Sequence, residues 1–286
     1  MKINLRKKKL SRSAGGDFMI FLMLAAGAAF TSLPLVFIIS QAFKPLNELF
    51  LFPPQYFVRN PTLQNFQDLF VMMGESWIPI SRYFFNSVFI VTFGLLGNVI
   101  FGSLAAYAIA IHEFPGKKFF NEVIILSLMF ARQVVDIPNY LTMSVLGWIN
   151  TYYSVIIPVW GASLGLYLML QFMKAMIPFE LIEAARIDGA SELRIYWQIA
   201  MPIIKPAWLT LIILTFQQLW HLTGERFLYS EELKTLPYAL RQIHAGGVAR
   251  QGVAAAVTLI MISVPIIIFV INQSKIVETM GTSGMD

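Results

Sequence analysis

A chain of 286 residues that is 57% hydrophobic and only 13% charged, with a mean hydropathy of +0.66, has more apolar surface than a soluble core of its size can bury. This excludes an ordinary soluble domain and makes the bilayer the expected solvent. The formal net charge of +5 suits contact with anionic lipid and implies no nucleic-acid partner, and the absence of cysteine excludes disulfides, thiol catalysis and thiolate metal sites.

Residues 1–17 read as a basic tail. Lys2, Arg6, Lys7, Lys8, Lys9 and Arg12 are opposed only by Asp17, which places the N-terminus on the cytoplasmic side. A signal peptide cleaved near Ala26-Gly27-Ala28 is the alternative, but the apolar run continues through Ile39. The first span is 18–43. Residues 44–82 carry Pro45, Pro53, Pro54, Pro61 and Pro79 and read as an irregular extracellular loop, with a short helix around 63–70. Residues 83–275 form the core, with membrane-length apolar runs near 83–111, 119–146, 153–173, 203–222 and 252–271. The fold class is therefore all-α and polytopic, with about six transmembrane helices. Asn98, Gly102, Ser103, Gly161, Ser163 and Gly165 suit close helix packing, and Pro158 and Pro265 suit kinks rather than breaks. Lys117, Lys118, Lys174, Arg186, Arg194, Lys205 and Lys275 then fall on the cytoplasmic side, 221–251 is a second extracellular loop, and 276–286 is a cytoplasmic C-terminal tail.

Between two of these runs lies a charged amphipathic insert, 178–202. Pro178 suits a first helical turn, 179–187 are good helix formers, and Asp188-Gly189 supplies a stop through the left-handed conformation that glycine accepts. Ser191 is an expected N-cap for a second helix, with Glu192 at its positive end, and that helix is expected to finish by Pro202. Leu193, Tyr196, Trp197 and Ala200 share one face at three-and-four spacing. Such a face either docks a partner or packs beneath the chain's own membrane helices.

Glu183-Ala184-Ala185, Asp188-Gly189-Ala190 and, about a dozen residues after the glycine, Met201-Pro202 resemble the EAA loop of binding-protein-dependent ABC importers. Asn86-Ser87, Ala106-Tyr107-Ala108, Phe114-Pro115-Gly116-Lys117, Ile137-Pro138, Leu146-Gly147, Asn150-Thr151-Tyr152 and Thr235-Leu236-Pro237 follow in the order expected of the carbohydrate-uptake, maltose permease G-like branch. Two departures are Trp220-His221-Leu222-Thr223, which keeps the Trp but not its usual polar neighbours, and an ending unlike that of maltose-type members. The resemblance implies type I ABC importer permease architecture with a cytoplasmic EAA coupling helix, in a bacterial inner or cytoplasmic membrane. It implies as partners a second homologous permease, two ATPase subunits that hold ATP and Mg, an extracellular solute-binding protein, an oligosaccharide and membrane lipid. Glu183, Ala184, Ala185, Asp188, Gly189, Tyr196 and Pro202 would couple to the ATPase.

The absence of G-x-x-x-x-G-K-[ST] implies that this chain has no nucleotide cofactor of its own and is not an enzyme. Arg132 and Asp136 stand four apart in an apolar run and can pair on one helix face, lining a pathway or simply satisfying each other. Gln217, Trp220 and His221 could hydrogen-bond and stack on a sugar, or Trp220 could sit in an interfacial belt. If the oligosaccharide is acidic, an Arg132 guanidinium facing the pathway could bind its carboxylate bidentately, with Asp136 orienting that guanidinium. A metal site is not expected of a lone His221. Import of an amino acid or peptide, or ion-coupled secondary transport, are the alternatives.

Overall fold

The computed structural model describes residues 14–74, 78–247 and 250–282, so most of the basic tail and the last four residues lie outside it. Among the described residues every regular element is helical. In chain order these are α1 (Ala14–Phe43), α2 (Leu46–Leu49), α3 (Gln64–Gly74), α4 (Ile80–Ile111), α5 (Lys117–Met129), α6 (Arg132–Val145), α7 (Tyr153–Trp160), α8 (Ser163–Met176), α9 (Phe179–Ile187) and α10 (Glu192–Ile195). A π turn (Tyr196–Ala200), α11 (Met201–Ile203), α12 (Lys205–Trp220), a 3-10 turn (Glu231–Leu233), α13 (Leu236–Ala245) and α14 (Gln251–Thr282) complete the chain.

Among the described residues, four helical stretches are long and apolar enough to cross a membrane: Gly15–Phe43, Ile80–Ile111, Tyr153–Met176 and Gln251–Val270. A fifth is present if Glu192–Ile203 and Lys205–Trp220, which meet at 78°, are taken together. The run expected to span at 119–146 is instead divided. Phe130 and Ala131 are extended between α5 and α6, whose 13 and 14 residues reach only about 20 Å each against a hydrocarbon core of about 30 Å. The cause is legible in α6, where Arg132, Gln133, Asp136 and Asn139 interrupt the apolar surface that a lipid-facing span needs. The second outer segment also differs from a plain loop. It holds α13, with Pro237 in its first turn and Leu236, Ala239 and Ile243 buried against α4.

The chain divides into two compact units. The first comprises Met1–Leu69 with Gly247–Ile260. Its α1 is exposed along nearly its whole length, as a helix bathed in lipid should be. The expected short helix near 63–70 is present as α3, and the rest of the irregular segment is knotted by buried polar groups. Glu48 accepts the Arg59 N–H (3.0 Å) and both the backbone and side-chain N–H of Asn60 (2.9 and 2.8 Å). Those donors, led by the Arg59 amide, hold its carboxyl below the usual glutamate range. Asn65 Nδ2 donates to the carbonyls of Ala42 and Lys44, and Gly252 at the head of α14 lies so close to Asn65 Oδ1 that a Cβ there would overlap it.

In the second unit, Phe70–Gly246 with Met261–Asp286, α4 is the central element, packed by α7, α8, α12 and α13. Small and polar residues allow this close approach. A Cβ on Gly94 would stand 2.6 Å from Leu219 Cδ1, and one on Gly165 would stand 2.7 Å from Asn98 Oδ1. Asn98, fully enclosed, donates to Thr215 Oγ1 on α12 at 2.9 Å. Gly97 receives the indole of Trp160, whose Nε1 donates to the Phe93 carbonyl at 3.0 Å and whose ring stacks on Phe101.

Candidate functional site

The insert folds as two short helices across a glycine turn. Pro178 is extended and sets the start of α9. The helix ends at Asp188, and Gly189 takes φ +79°. The Ala190 N–H then bonds the Ala185 carbonyl and the Gly189 N–H bonds the Arg186 carbonyl, each at 3.0 Å, which is the paired pattern of a Schellman C-cap. No neighbouring atom crowds Gly189, so the requirement for glycine comes from the backbone angle alone.

One face of this element is inward. Ile182, Ala185, Ile195, Tyr196 and Ala200 join a core with Ala106, Tyr107 and Ile109 of α4 and Met169, Leu170 and Met173 of α8. The other face is outward: Glu183, Ala184, Asp188, Gly189 and Pro202 are exposed, beside Ile187, Leu193 and Trp197 at 86%, 66% and 52% exposure. The expected common face of Leu193, Tyr196, Trp197 and Ala200 is thus split. Tyr196, expected to meet the ATPase, is fully buried and shares a 2.6 Å hydrogen bond with Ser103 of α4. The boundary between the two sides falls between Tyr196 and Trp197, and Leu193 with Trp197, four apart, share the outward side while Tyr196 with Ala200 share the inward one.

The helix also continues through Pro202 to Ile203 rather than stopping before it. Pro202 has no N–H to offer and its ring crowds the carbonyl four residues earlier, and the π turn directly before it relieves both constraints. Ser191 occupies the N-cap position, yet its side chain makes no cap hydrogen bond.

Glu192 is the polar centre of the site. Its Oε1 accepts from Arg186 Nε of α9 (2.8 Å), its Oε2 accepts from the Tyr107 hydroxyl of α4 (2.9 Å), and His112 Nε2 lies 3.4 Å from the same oxygen. The Arg186 hydrogen bond is the largest influence on its carboxyl, which titrates below the usual range. Sequence reasoning placed Glu192 only at a helix end. Two of its partners, Tyr107 and His112, are distant in sequence, and the signal that could have found them is that pair at the end of an apolar run.

The residues expected along a substrate pathway do not form one cluster. Asp136 pairs with Arg226 of the outer segment, and the pairing expected with Arg132 involves a side chain outside the described residues. Nearby, the Tyr229 hydroxyl donates to Tyr140 (2.9 Å), and Asn150, at φ +60°, accepts the amides of Tyr229 and Ser230. Trp220 is 2% exposed, stacked on Phe216, and donates its Nε1 to the Met261 carbonyl at 3.0 Å. Its indole N–H and ring are thus both engaged inside the unit. Gln217 and His221 are exposed.

No family model matches the chain. Among curated proteins, the arabinooligosaccharides transport system permease protein AraQ of Halalkalibacterium halodurans is 28% identical over 92% of this chain and 95% of its own length. The probable ABC transporter permease protein YurM of Bacillus subtilis is 30% identical, over 72% of this chain and 70% of its own. The chain belongs to the ABC transporter permeases. A solved bacterial ABC transporter involved in the import of the acidic polysaccharide alginate shares the permease fold, with a TM-score of 0.77, 21% identity and coverage of 92% of this chain and 98% of that one. As an ABC transporter permease the chain is a multi-pass membrane subunit, in keeping with its several apolar helices.

Proposed function

We propose that this permease is one of two homologous membrane subunits of a bacterial importer that carries an oligosaccharide inward. An extracellular binding protein delivers the solute, and ATP with Mg is hydrolysed on separate subunits. The observation that carries the reading is the outward face of 179–203: Glu183 and Ala184 sit beside exposed Ile187, Leu193 and Trp197, held in shape by the Gly189 turn. An apolar patch rimmed by a carboxylate suits a protein partner that closes over it. Glu183 would make a charge-assisted contact with the ATPase, with exposed Ala184 allowing close approach and Gly189 setting the turn, while Ala185, expected beside them, is buried in the subunit. The N- and C-termini lie on the same cytoplasmic side as this face.

The sugar assignment is supported by the oligosaccharide named for AraQ and the polysaccharide named for the similar structure. Amino-acid or peptide import and ion-coupled transport have no comparable support. The test is reconstitution in vesicles with the neighbouring permease, ATPase and binding protein, using labelled neutral and uronate-containing oligosaccharides. Uptake is expected to need ATP and every subunit, and Glu183→Lys is expected to release the ATPase. Hydrolysis by the purified single chain, or sugar uptake without the ATPase, overturns the reading. Arg132→Gln tests the acidic case: loss of uronate uptake alone favours an acidic cargo read by Arg132, and equal loss of both, or loss of the protein from the membrane, favours a structural role for that side chain.

A further inference from the structure

The spans differ in stiffness. Pro34 lies within α1, Pro158 within α7, Pro265 within α14, the α7–α8 span is interrupted at Gly161-Ala162, and the α10–α12 path bends by 78°. By contrast, α4 runs 32 residues, about 48 Å, with no proline and no break.

Its two ends carry dense polar fastenings. At the C-terminal end, Ser103 meets Tyr196, and Tyr107 and His112 meet Glu192, so three side chains tie α4 to the docking element. At the N-terminal end, Asn86 is fully buried and donates to the carbonyls of Glu232 (2.8 Å) and Lys234 (2.7 Å) while accepting from the Tyr152 hydroxyl. Tyr83 donates to Glu231, and Ser87 Oγ accepts the Leu236 N–H at 2.8 Å. These bonds join α4 to residues 231–236, the segment that leads into α13.

We infer that α4 is a strut that makes the docking element, residues 179–203, and residues 231–236 one mechanical body, with Glu192 and Asn86 as the positioning residues at its two ends. The inference rests on the coupling role proposed above. A helix of this length transmits displacement rather than absorbing it, because bending would stretch a continuous backbone hydrogen-bond ladder. Fastenings of several side-chain hydrogen bonds, buried at Ser103–Tyr196 and Ser87–Leu236 and half-exposed at Glu192, have discrete arrangements and do not slip gradually. Movement imposed on Leu193 and Trp197 by an ATPase therefore reappears at residues 231–236 without a hinge between them. The proline-containing and interrupted spans around α4 take up the shape change.

The test uses the assembled transporter. The chain has no cysteine, so Arg194→Cys and Glu232→Cys, both at exposed positions, give one pair of spin labels. The expected result is a narrow label distance that is the same in nucleotide-free and ATP-trapped transporter. Glu192→Ala and Tyr107→Phe should each widen it and lower uptake per ATP hydrolysed by about fivefold, the ratio that one lost hydrogen bond of ordinary strength allows. The ATPase should stay bound in both. Tyr107→Phe removes one hydroxyl and keeps the ring against Tyr196, which guards against misfolding. A wild-type distance that shifts between the two states overturns the strut, and so do variants that leave distance width and uptake ratio unchanged. If no ATPase associates with the wild-type chain, the coupling role fails, and the distance width of wild type against Tyr107→Phe in the chain alone decides the strut.

Discussion

Gly97→Ala tests the packing that holds α7 against α4. The added methyl would fall on the Trp160 indole, with Nε1, Cδ1 and Cε2 all in its way. The indole cannot yield freely, because its N–H donates to the Phe93 carbonyl at 3.0 Å and its ring lies 5.1 Å from Phe101 at 29°. Displacing it loses the hydrogen bond and the ring pair and adds overpacking strain, together about 2–5 kcal/mol. The assay is reversible unfolding of the purified subunit in mixed detergent, followed by helical signal. Trp160→Phe in the same background removes part of the obstruction, so the double-mutant cycle should return a coupling of about 1–3 kcal/mol. A destabilisation under about 0.5 kcal/mol, or strict additivity of the two changes, would refute the argument.

Gly189→Leu should weaken the docking turn by about 1–2 kcal/mol, because φ +79° is costly for any side chain even in open space; uptake and stimulated ATPase should fall together, and normal values for both would count against the turn. Thr215→Val strips Asn98 of its hydrogen bond within the span and should cost about 1–2 kcal/mol in the same unfolding assay; no measurable change would show that the amide finds another partner. Glu48 is held below its ordinary value of 4.5, so the unfolded chain takes up a proton first as pH falls. The stability it gives the 44–65 segment should be complete above that value and lost below it, read as faster exchange of the Arg59 and Asn60 amides in acid; exchange that ignores this window would refute the assignment.

Much of the architecture was legible because membrane-length apolar runs and glycine stops leave local signals. The stretches at 18–43, 83–111, 153–173 and 252–271 and the Asp188-Gly189 turn all correspond to observed elements. The features that escaped are non-local or break a period. The 119–146 run looked continuous by composition, while its interruption depends on polar side chains such as Asp136 finding Arg226 some ninety residues away. Spacing alone puts Tyr196 and Trp197 on one broad face, whereas the line between buried and exposed sides falls between these two neighbours and is set by what α4 packs against. Asn86 carried family resemblance in the sequence, but its role in gathering two carbonyls and a tyrosine hydroxyl exists only after folding.

The docking element divides its labour by side of the helix. Residues that decide its shape, Ile182, Ala185, Ile195 and Ala200, point into the subunit, while Glu183, Ile187, Leu193 and Trp197 point away and contribute little to that shape. Recognition can therefore drift or be redesigned independently of folding. On the proposed coupling role, exchanging the outward set between two such subunits should re-address each to the other's ATPase while leaving both able to insert.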